Sequence, residues 1–378
     1  MDRVWKSGAA VGAPALDNAS VGFATAGNPG IGTPATKPGP HWFHMVTEEI
    51  LSVITAAGIS FDKTNVAQLL AAINILSAQQ GAIIPGGRLT LSTGTPVTTT
   101  NVIGVGNVLY TPYITDRIQL YNGTNWATFQ FTELSQSLTD TTKSPAASVA
   151  NSIYDVFVWS DSGTMRATRG PLWTSLTARG TGAGTTELEL FQGRLVNKVA
   201  ITNGPAARRG HYVGTIGTDS GNIINDADNQ RLCWNNYNRV VKPLKRLTAT
   251  ASWTGSAGVI RQANADTNNQ VIVLTGLNED AVYLNLLANY NTNGGAAALG
   301  VSIGLDSTSV PSSSIFGGNS ATQIGTAAFT ATFNNYVGLG RHTLVWLEGT
   351  SNSIVNLWVG VLGGTVPLQS GLVGFCKT

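Results

Sequence analysis

The sequence predicts a mainly β protein with a short α-helical segment near its N-terminus, elongated or obligately oligomeric, ending in an antiparallel β-sandwich of jelly-roll type. Three observations carry this. The 378 residues include 44 glycines, and charged residues make up 11% against 42% hydrophobic. That balance favours turns and short strands over long surface helices, which need many Lys and Glu. Apolar residues recur at helical spacing between residues 40 and 80, and from Gly86 onward the period changes to two.

Residues 1–40 hold seven Gly and five Pro, with few large apolar groups beyond Val4, Trp5 and Phe23. Such a segment cannot bury enough surface to offset its ordering entropy, so an extended leader is expected, ordered only by another subunit. Residues 41–80 read as a helical hairpin. The first helix starts after Pro40, carries Phe43, Val46, Ile50, Val53 and Ala57 on one face with Glu48 and Glu49 opposite, and stops at Gly58. Thr64 is placed to cap the second, whose face is Val66, Leu69, Leu70, Ile73 and Leu76. Two such helices are marginal alone in water and need a partner, most simply copies of themselves.

Residues 84–246 form a central β domain. "RIQLYNGTNWATFQF" alternates, turns at Asn122-Gly123 and alternates again, and "YDVFVWSDSGTMRATR" repeats the design with a turn around Asp161, Ser162 and Gly163. Residues 247–378 are expected to be a separate β-sandwich. "AVYLNLLANY" sets Val282, Leu284, Leu286 and Ala288 against Tyr283, Asn285 and Asn289, and "HTLVWLEG" and "SIVNLWVGVLGG" behave likewise. The break between the two falls within "RVVKPLKRLTATASW", residues 239–253.

A net charge of +2 offers no field to hold a polyanion, which argues against nucleic acid and membrane surfaces as partners. Cys233 and Cys376 lie far apart, in neither a metal-ligand nor a redox spacing, and read as small apolar fillers. The first twenty residues lack the apolar core of a secretory signal, and no stretch reaches the length of a membrane span, so assembly in a cytoplasm is expected. No repeat of 20–50 residues is visible.

The opening block, with "DRV", the "GNP" and "GTPAT" turns, "HWFHM" and "EEILSVI", resembles the N-terminal region of tail-fibre and related virion proteins of tailed bacteriophages. "GGRLTLSTGTPV", "LYTPY", "IQLYNGTNW", "YDVFVW", "YNRV" and "ASW" look like β modules of such chains, so the resemblance covers residues 1–253. It implies a homotrimeric fibre in the virion, anchored through residues 1–80 to other tail, baseplate or head proteins and contacting a host surface glycan or protein by its distal domain. The central domain would be the shaft or connector. An extended leader can lie in a groove of another virion protein. Val4, Trp5, Trp42 and Phe43 are the expected anchors there, since aromatic groups dominate buried interface energetics; the alternative for Trp42 is a place in the helix core. Val46, Ile50, Val53, Val66, Leu69 and Ile73 are the expected oligomer interface. A head, neck or baseplate decoration protein that never touches the host is the rival reading.

Chemistry is thinly marked. His41, His44 and Glu48 fall at i, i+3 and i+7, but two imidazoles without a further ligand make no metal site, and no metal or cofactor is expected. Residues 230–246 contain five cationic side chains and no acid, interleaved with Trp234 and Tyr237; a solvated strand or subunit contact outweighs a single-strand nucleic-acid grip. Glycoside hydrolysis needs paired carboxylates, one with a raised pKa. Glu187 with Glu189, and Glu279 with Asp280, are the available pairs, and the solvated-surface reading fits both better. "RGTGAGTTELEL" lacks the dinucleotide fingerprint, and the four histidines form no triad order, so no enzyme is expected. Loops with the chemistry of glycan binding, which is also simple turn chemistry, are "TNNQ" (267–270), "NYNTNGG" (289–295) and "FGGNS" (316–320).

Overall fold

The computed structural model describes residues 12–15, 24–79, 84–292, 297–321, 325–351, 356–363 and 367–378. Val4, Trp5 and Phe23 of the leader lie outside these. The chain divides into two compact units, one of residues 1–82 with Asn125–Ala127, the other of the remainder through Thr378. The protein is mainly β, with two α-helices among the described residues.

In the first unit, residues 25–36 close on themselves. Asn28 and Thr33 exchange main-chain hydrogen bonds of 2.8 and 3.0 Å, Thr36 N–H donates to Thr25 O, and the Asn28 side chain accepts from Gly30 N–H. This turn buries no side chain; main-chain bonds order it, together with those that the Thr25, Asn28 and Thr36 side chains accept from main-chain N–H groups. Helix α1 runs Pro40–Ala56, with Pro40 in the first turn and no side-chain cap from Gly39. Gly58, at φ +73°, ends it as expected, while the Gly58 and Ile59 N–H groups donate back to Thr55 O and Ile54 O.

Helix α2 spans Gln68–Gln79, later than the sequence suggests. Asp62 Oδ1 accepts from the Thr64 N–H and hydroxyl, and Asn65 Oδ1 accepts from Ala67 N–H, so two Asx turns hold residues 62–67 out of the helix. Thr64 therefore caps nothing, and Val66 is fully exposed rather than on a helix face. The small core is Ile54, Ala57 and Ala72, with Val53, Ile59, Ile75 and Leu76 against it.

The second unit is built from strands. Gly87–Thr90, Asn107–Pro112 and Leu134–Ser137 form an antiparallel three-stranded sheet. The segment read as the first hairpin supplies the strand Arg117–Tyr121, with Gly123 at φ +105° in the turn, and the strand Trp126–Gln130, whose first two residues are counted with the first unit. Ile153–Asp161 pairs Thr164–Leu172 through Ser162 and Gly163, both at positive φ; the turn falls where the sequence places it, with Asp161 the last residue of the strand and not part of the loop. Ile153–Asp161 then pairs His211–Gly217, which pairs both Arg194–Asn197 and Cys233–Asn235. Val156, Phe157, Val158, Tyr212 and Trp234 fill this core.

Towards the C-terminus, Val282–Thr292 pairs Gly325–Asn335 and, on its other side, Gly371–Lys377. The alternation holds: Val282, Leu284, Leu286 and Ala288 are fully buried, in a core shared with Trp346, Trp358 and Phe333. The expected division at 246/247 falls at the end of a strand, Val241–Leu247, that pairs over its whole length with Gly371–Lys377. Gln230–Arg231 also runs parallel to Gln270–Thr275. Hydrogen bonding thus continues across that position.

Candidate functional site

Each ionisable cluster marked by the sequence is consumed by local pairing. All five cations of 230–246 meet acids: Arg231 bonds Asp226 (2.8 Å) and Asp228 (3.1 Å), Lys242 bonds Asp226, and Lys245 bonds Asp228. Arg239 bonds Glu279 and Asp280, and Arg246 faces Asp266 at 3.6 Å. The stretch presents a neutralised surface in place of a phosphate grip. Glu187 accepts from Lys198 at 2.6 Å and Glu189 from both nitrogens of the Arg208 fork at 2.9 Å, and these hydrogen bonds lower both carboxyl pKa values. That shift is opposite to the raised pKa that the proton-holding acid of a glycosidase needs.

Gly180, Gly182 and Gly184 of the glycine-rich loop all have positive φ, but the Gly182 N–H donates to Glu187 Oε2 at 2.8 Å, filling the anion cradle with the chain's own carboxylate. His44 Nδ1 lies 3.8 Å from Glu48, and no group of three metal-capable residues occurs among the described residues. Cys233 and Cys376 are buried free thiols whose pKa burial pushes up to about 12, as inert fillers should be.

The helices keep much of their apolar surface exposed. Trp42 (46%), Phe43 (57%), Val46 (40%) and Ile50 (39%) stand out from the N-terminal part of α1, and Leu69, Leu70 and Ile73 from α2. Val53 alone of the expected interface residues packs against the unit's own core.

Of the three glycan-type loops, "TNNQ" spends its two asparagine amides on the residues just before it: Asn268 donates to Asp266 and the buried Asn269 donates to Ala263 O. In "NYNTNGG", Asn289 donates to Ser370 and Tyr290 stacks on Phe329 at 4.5 Å, while residues 293–295 lie outside the described residues. "FGGNS" is no loop. It lies in the strand Ile315–Ala321, which leaves Phe316 65% exposed.

Phe316 borders a trough that the sequence did not mark. The strand Gly340–Thr350 pairs Ala297–Leu305 on one side and Val259–Gln262 on the other, and Ala297–Leu305 in turn pairs Ile315–Ala321. These registers put Ile260, Gly349, Gly300 and Gly318 in one row across four strands, a span of about 14 Å at the usual strand spacing. Alternation turns Leu299 and Val301 into the core, and the row lies on the opposite face. A cavity of about 440 Å³ is lined here by Gly300, Gly349, Ile260, Phe316, Pro311 and the buried Ser302, among others.

Among the lining residues only Glu348 ionises. It lies on the core side of its strand, where Trp253 Nε1–H (2.6 Å) and Arg261 Nε–H (2.9 Å) donate to its carboxylate. Burial raises its pKa against those donors. The lining therefore offers bare backbone, apolar side chains and the Ser351 hydroxyl, without exposed charge.

No family model and no curated protein sequence matches this chain. Among solved structures, PorU of Porphyromonas gingivalis aligns with 70% of this chain at 11% identity and a TM-score of 0.22, and the chain spans 20% of that protein's length. A structure of infectious bursal disease virus, Gx strain, aligns with 79% of this chain and 81% of its own at 13% identity and TM-score 0.22. The Cry4Aa toxin of Bacillus thuringiensis aligns with 74% of this chain and 50% of its own at 10% identity and TM-score 0.17.

Proposed function

We propose that the chain is a structural virion protein of a tailed phage: a homotrimeric tail fibre whose N-terminal unit attaches to tail, baseplate or head proteins and whose distal jelly-roll-like region contacts the host surface. Beside the resemblance of residues 1–253, one observation supports this reading. Trp42, Phe43, Val46, Ile50, Leu69, Leu70 and Ile73 expose large apolar side chains on two short helices whose own core is only a few residues. Water-exposed apolar groups at that density call for cover, and identical copies around an axis supply it.

Light scattering at micromolar concentration tests the assembly: the expected mass is three times the 39.4 kDa chain. A paired Val46→Glu, Ile50→Glu variant is expected to fall to the single-chain mass while staying folded, because both side chains are already about 40% exposed. A wild-type monomer removes the reading. Immunogold labelling of particles tests the virion location, and label absent from the tail end would leave a fibre role without support.

A further inference from the structure

Two glycines of the trough stand apart from their neighbours. At Gly317 and Gly318 an added Cβ would come within 2.6 Å of Thr330 O and 2.7 Å of Leu299 O, so the close approach of main chains requires glycine there. Gly300 and Gly349 are under no such constraint. A Cβ on Gly300 would meet nothing nearer than Gly317 O at 3.5 Å, and one on Gly349 nothing nearer than Ile260 Cγ1 at 3.4 Å, both ordinary contacts. Neither residue has a positive φ. Mid-strand glycine weakens a sheet, and where the fold does not demand it, it marks a place where something else approaches the backbone.

What approaches has to fit a floor two side chains wide, paired directly across adjacent strands. One six-membered ring fits; the cavity of about 440 Å³ lies at the lower end of small-ligand sites. A stable protein interface needs roughly 800 Å² on each partner, far beyond this floor. No exposed charge is present to recognise an ionic group, since the buried Glu348 is engaged by Trp253 and Arg261. The exposed Phe316 ring offers a stacking face; of the two lining serines, Ser302 is buried, and the exposed Ser351 accepts from Ala298 N–H through its hydroxyl oxygen. An apolar surface with the Ser351 hydroxyl among its lining groups matches a ring that has C–H on its faces and hydroxyls at its edge.

Resting on the host-contact reading above, we propose that this trough binds one neutral saccharide ring by its apolar face. Phe316 stacks on the C–H groups, the Gly300–Gly349 floor lets the ring lie against the backbone, and Ile260 closes the far side. Sugars with extra apolar surface, such as 6-deoxyhexoses or N-acetylhexosamines, gain most.

The test uses the full chain with methyl α-L-rhamnoside, methyl α-L-fucoside and N-acetyl-D-glucosamine as neutral probes, glucuronate as a charged one, and N-acetyl-L-phenylalaninamide as a protein-like aromatic one. Saturation-transfer NMR should show contact with at least one neutral sugar and none with glucuronate. Gly300→Ala combined with Gly349→Ala should weaken that contact at least tenfold without lowering the melting midpoint. Phe316→Ala, at a mostly exposed position that the core does not use, should do the same. Absence of transfer to every neutral sugar in folded wild type overturns the proposal, as does unchanged binding in the glycine variant. Preference for the phenylalaninamide would overturn it too, assigning the trough to a protein side chain.

Two further outcomes separate this inference from the fibre reading. Protein that adheres to host cells equally well with and without the glycine substitutions removes the trough and leaves host contact standing. Sugar binding by a protein absent from particles keeps the trough and removes the fibre.

Discussion

Lowering the pH from 8 to 5 should destabilise this protein through His211, one imidazole with no room for a second proton. His211 Nδ1 lies 2.8 Å from Gln119 O, a carbonyl that can only accept, so Nδ1 carries the proton. Nε2, 3.1 Å from the Tyr237 hydroxyl, is then the acceptor, and Tyr237 O–H donates to it. Complete burial, opposed only in part by the Gln119 bond and aided by a smaller repulsion from Arg194, pushes the folded pKa from 6.5 down to about 4. Above pH 6.5 the group is neutral in both states and contributes no pH dependence. Below 6.5 the unfolded chain takes up a proton that the folded chain refuses until about pH 4, so stability falls across that window by about 1.4 kcal/mol per pH unit. Integrated to pH 5, the loss is about 2 kcal/mol. Denaturant titrations of wild type and His211→Gln, whose amide can still donate to Gln119 O, isolate this contribution from the carboxylates. Wild type should lose about 2 kcal/mol more than the variant between pH 8 and pH 5. Parallel pH profiles would refute the burial argument.

Arg179→Ala should cost about 3–5 kcal/mol in chemical denaturation, because it leaves the wholly buried Asp155 carboxylate without its bidentate cation; Arg179→Lys should recover only part, since a point charge cannot also reach the Gly276 carbonyl and Tyr212 hydroxyl. Glu348→Gln should hold or raise the melting midpoint at pH 7, where the raised carboxyl pKa means ionisation opposes folding, and that benefit should vanish once acid protonates the wild-type group; a clear loss at pH 7 would show that Arg261 outweighs burial. Truncation before Gly371 removes a strand paired on both sides, to Val241–Leu247 and to Val282–Thr292, and should abolish cooperative unfolding of the second unit in a thermal melt.

What could be read in advance was whatever a few consecutive residues decide. Val282, Leu284, Leu286 and Ala288 alternate because one sheet face is buried, and Gly58 and Ser162-Gly163 terminate or turn because only certain backbones reach positive φ. Val66 was misplaced because periodicity ignores the competing Asx bonds of Asp62 and Asn65, which are equally local but act through side-chain geometry. Arg239 and Arg246 looked free because their acids, Glu279, Asp280 and Asp266, lie further along the chain, while Arg231, Lys242 and Lys245 meet Asp226 and Asp228, which stand just ahead of the stretch and are brought to it by the fold. His211 gave no signal, since its partners Gln119 and Tyr237 come from distant segments.

The glycines make the same point more sharply. "FGGNS" carries turn residues, yet it is a strand, because Gly317 and Gly318 admit the neighbouring main chains that a side chain would exclude. Gly300 and Gly349 have the same letter and the opposite circumstance, with room for a methyl group that is not there. A glycine's meaning is set by what its missing Cβ would touch, which depends on strands brought in from elsewhere in the chain. Spacing in the sequence can therefore find the sheet, but the trough emerges only when the registers of four strands are known. It follows that alanine at those two positions should be tolerated by the fold, so that a loss of sugar contact without a loss of stability would be the loss of something bound.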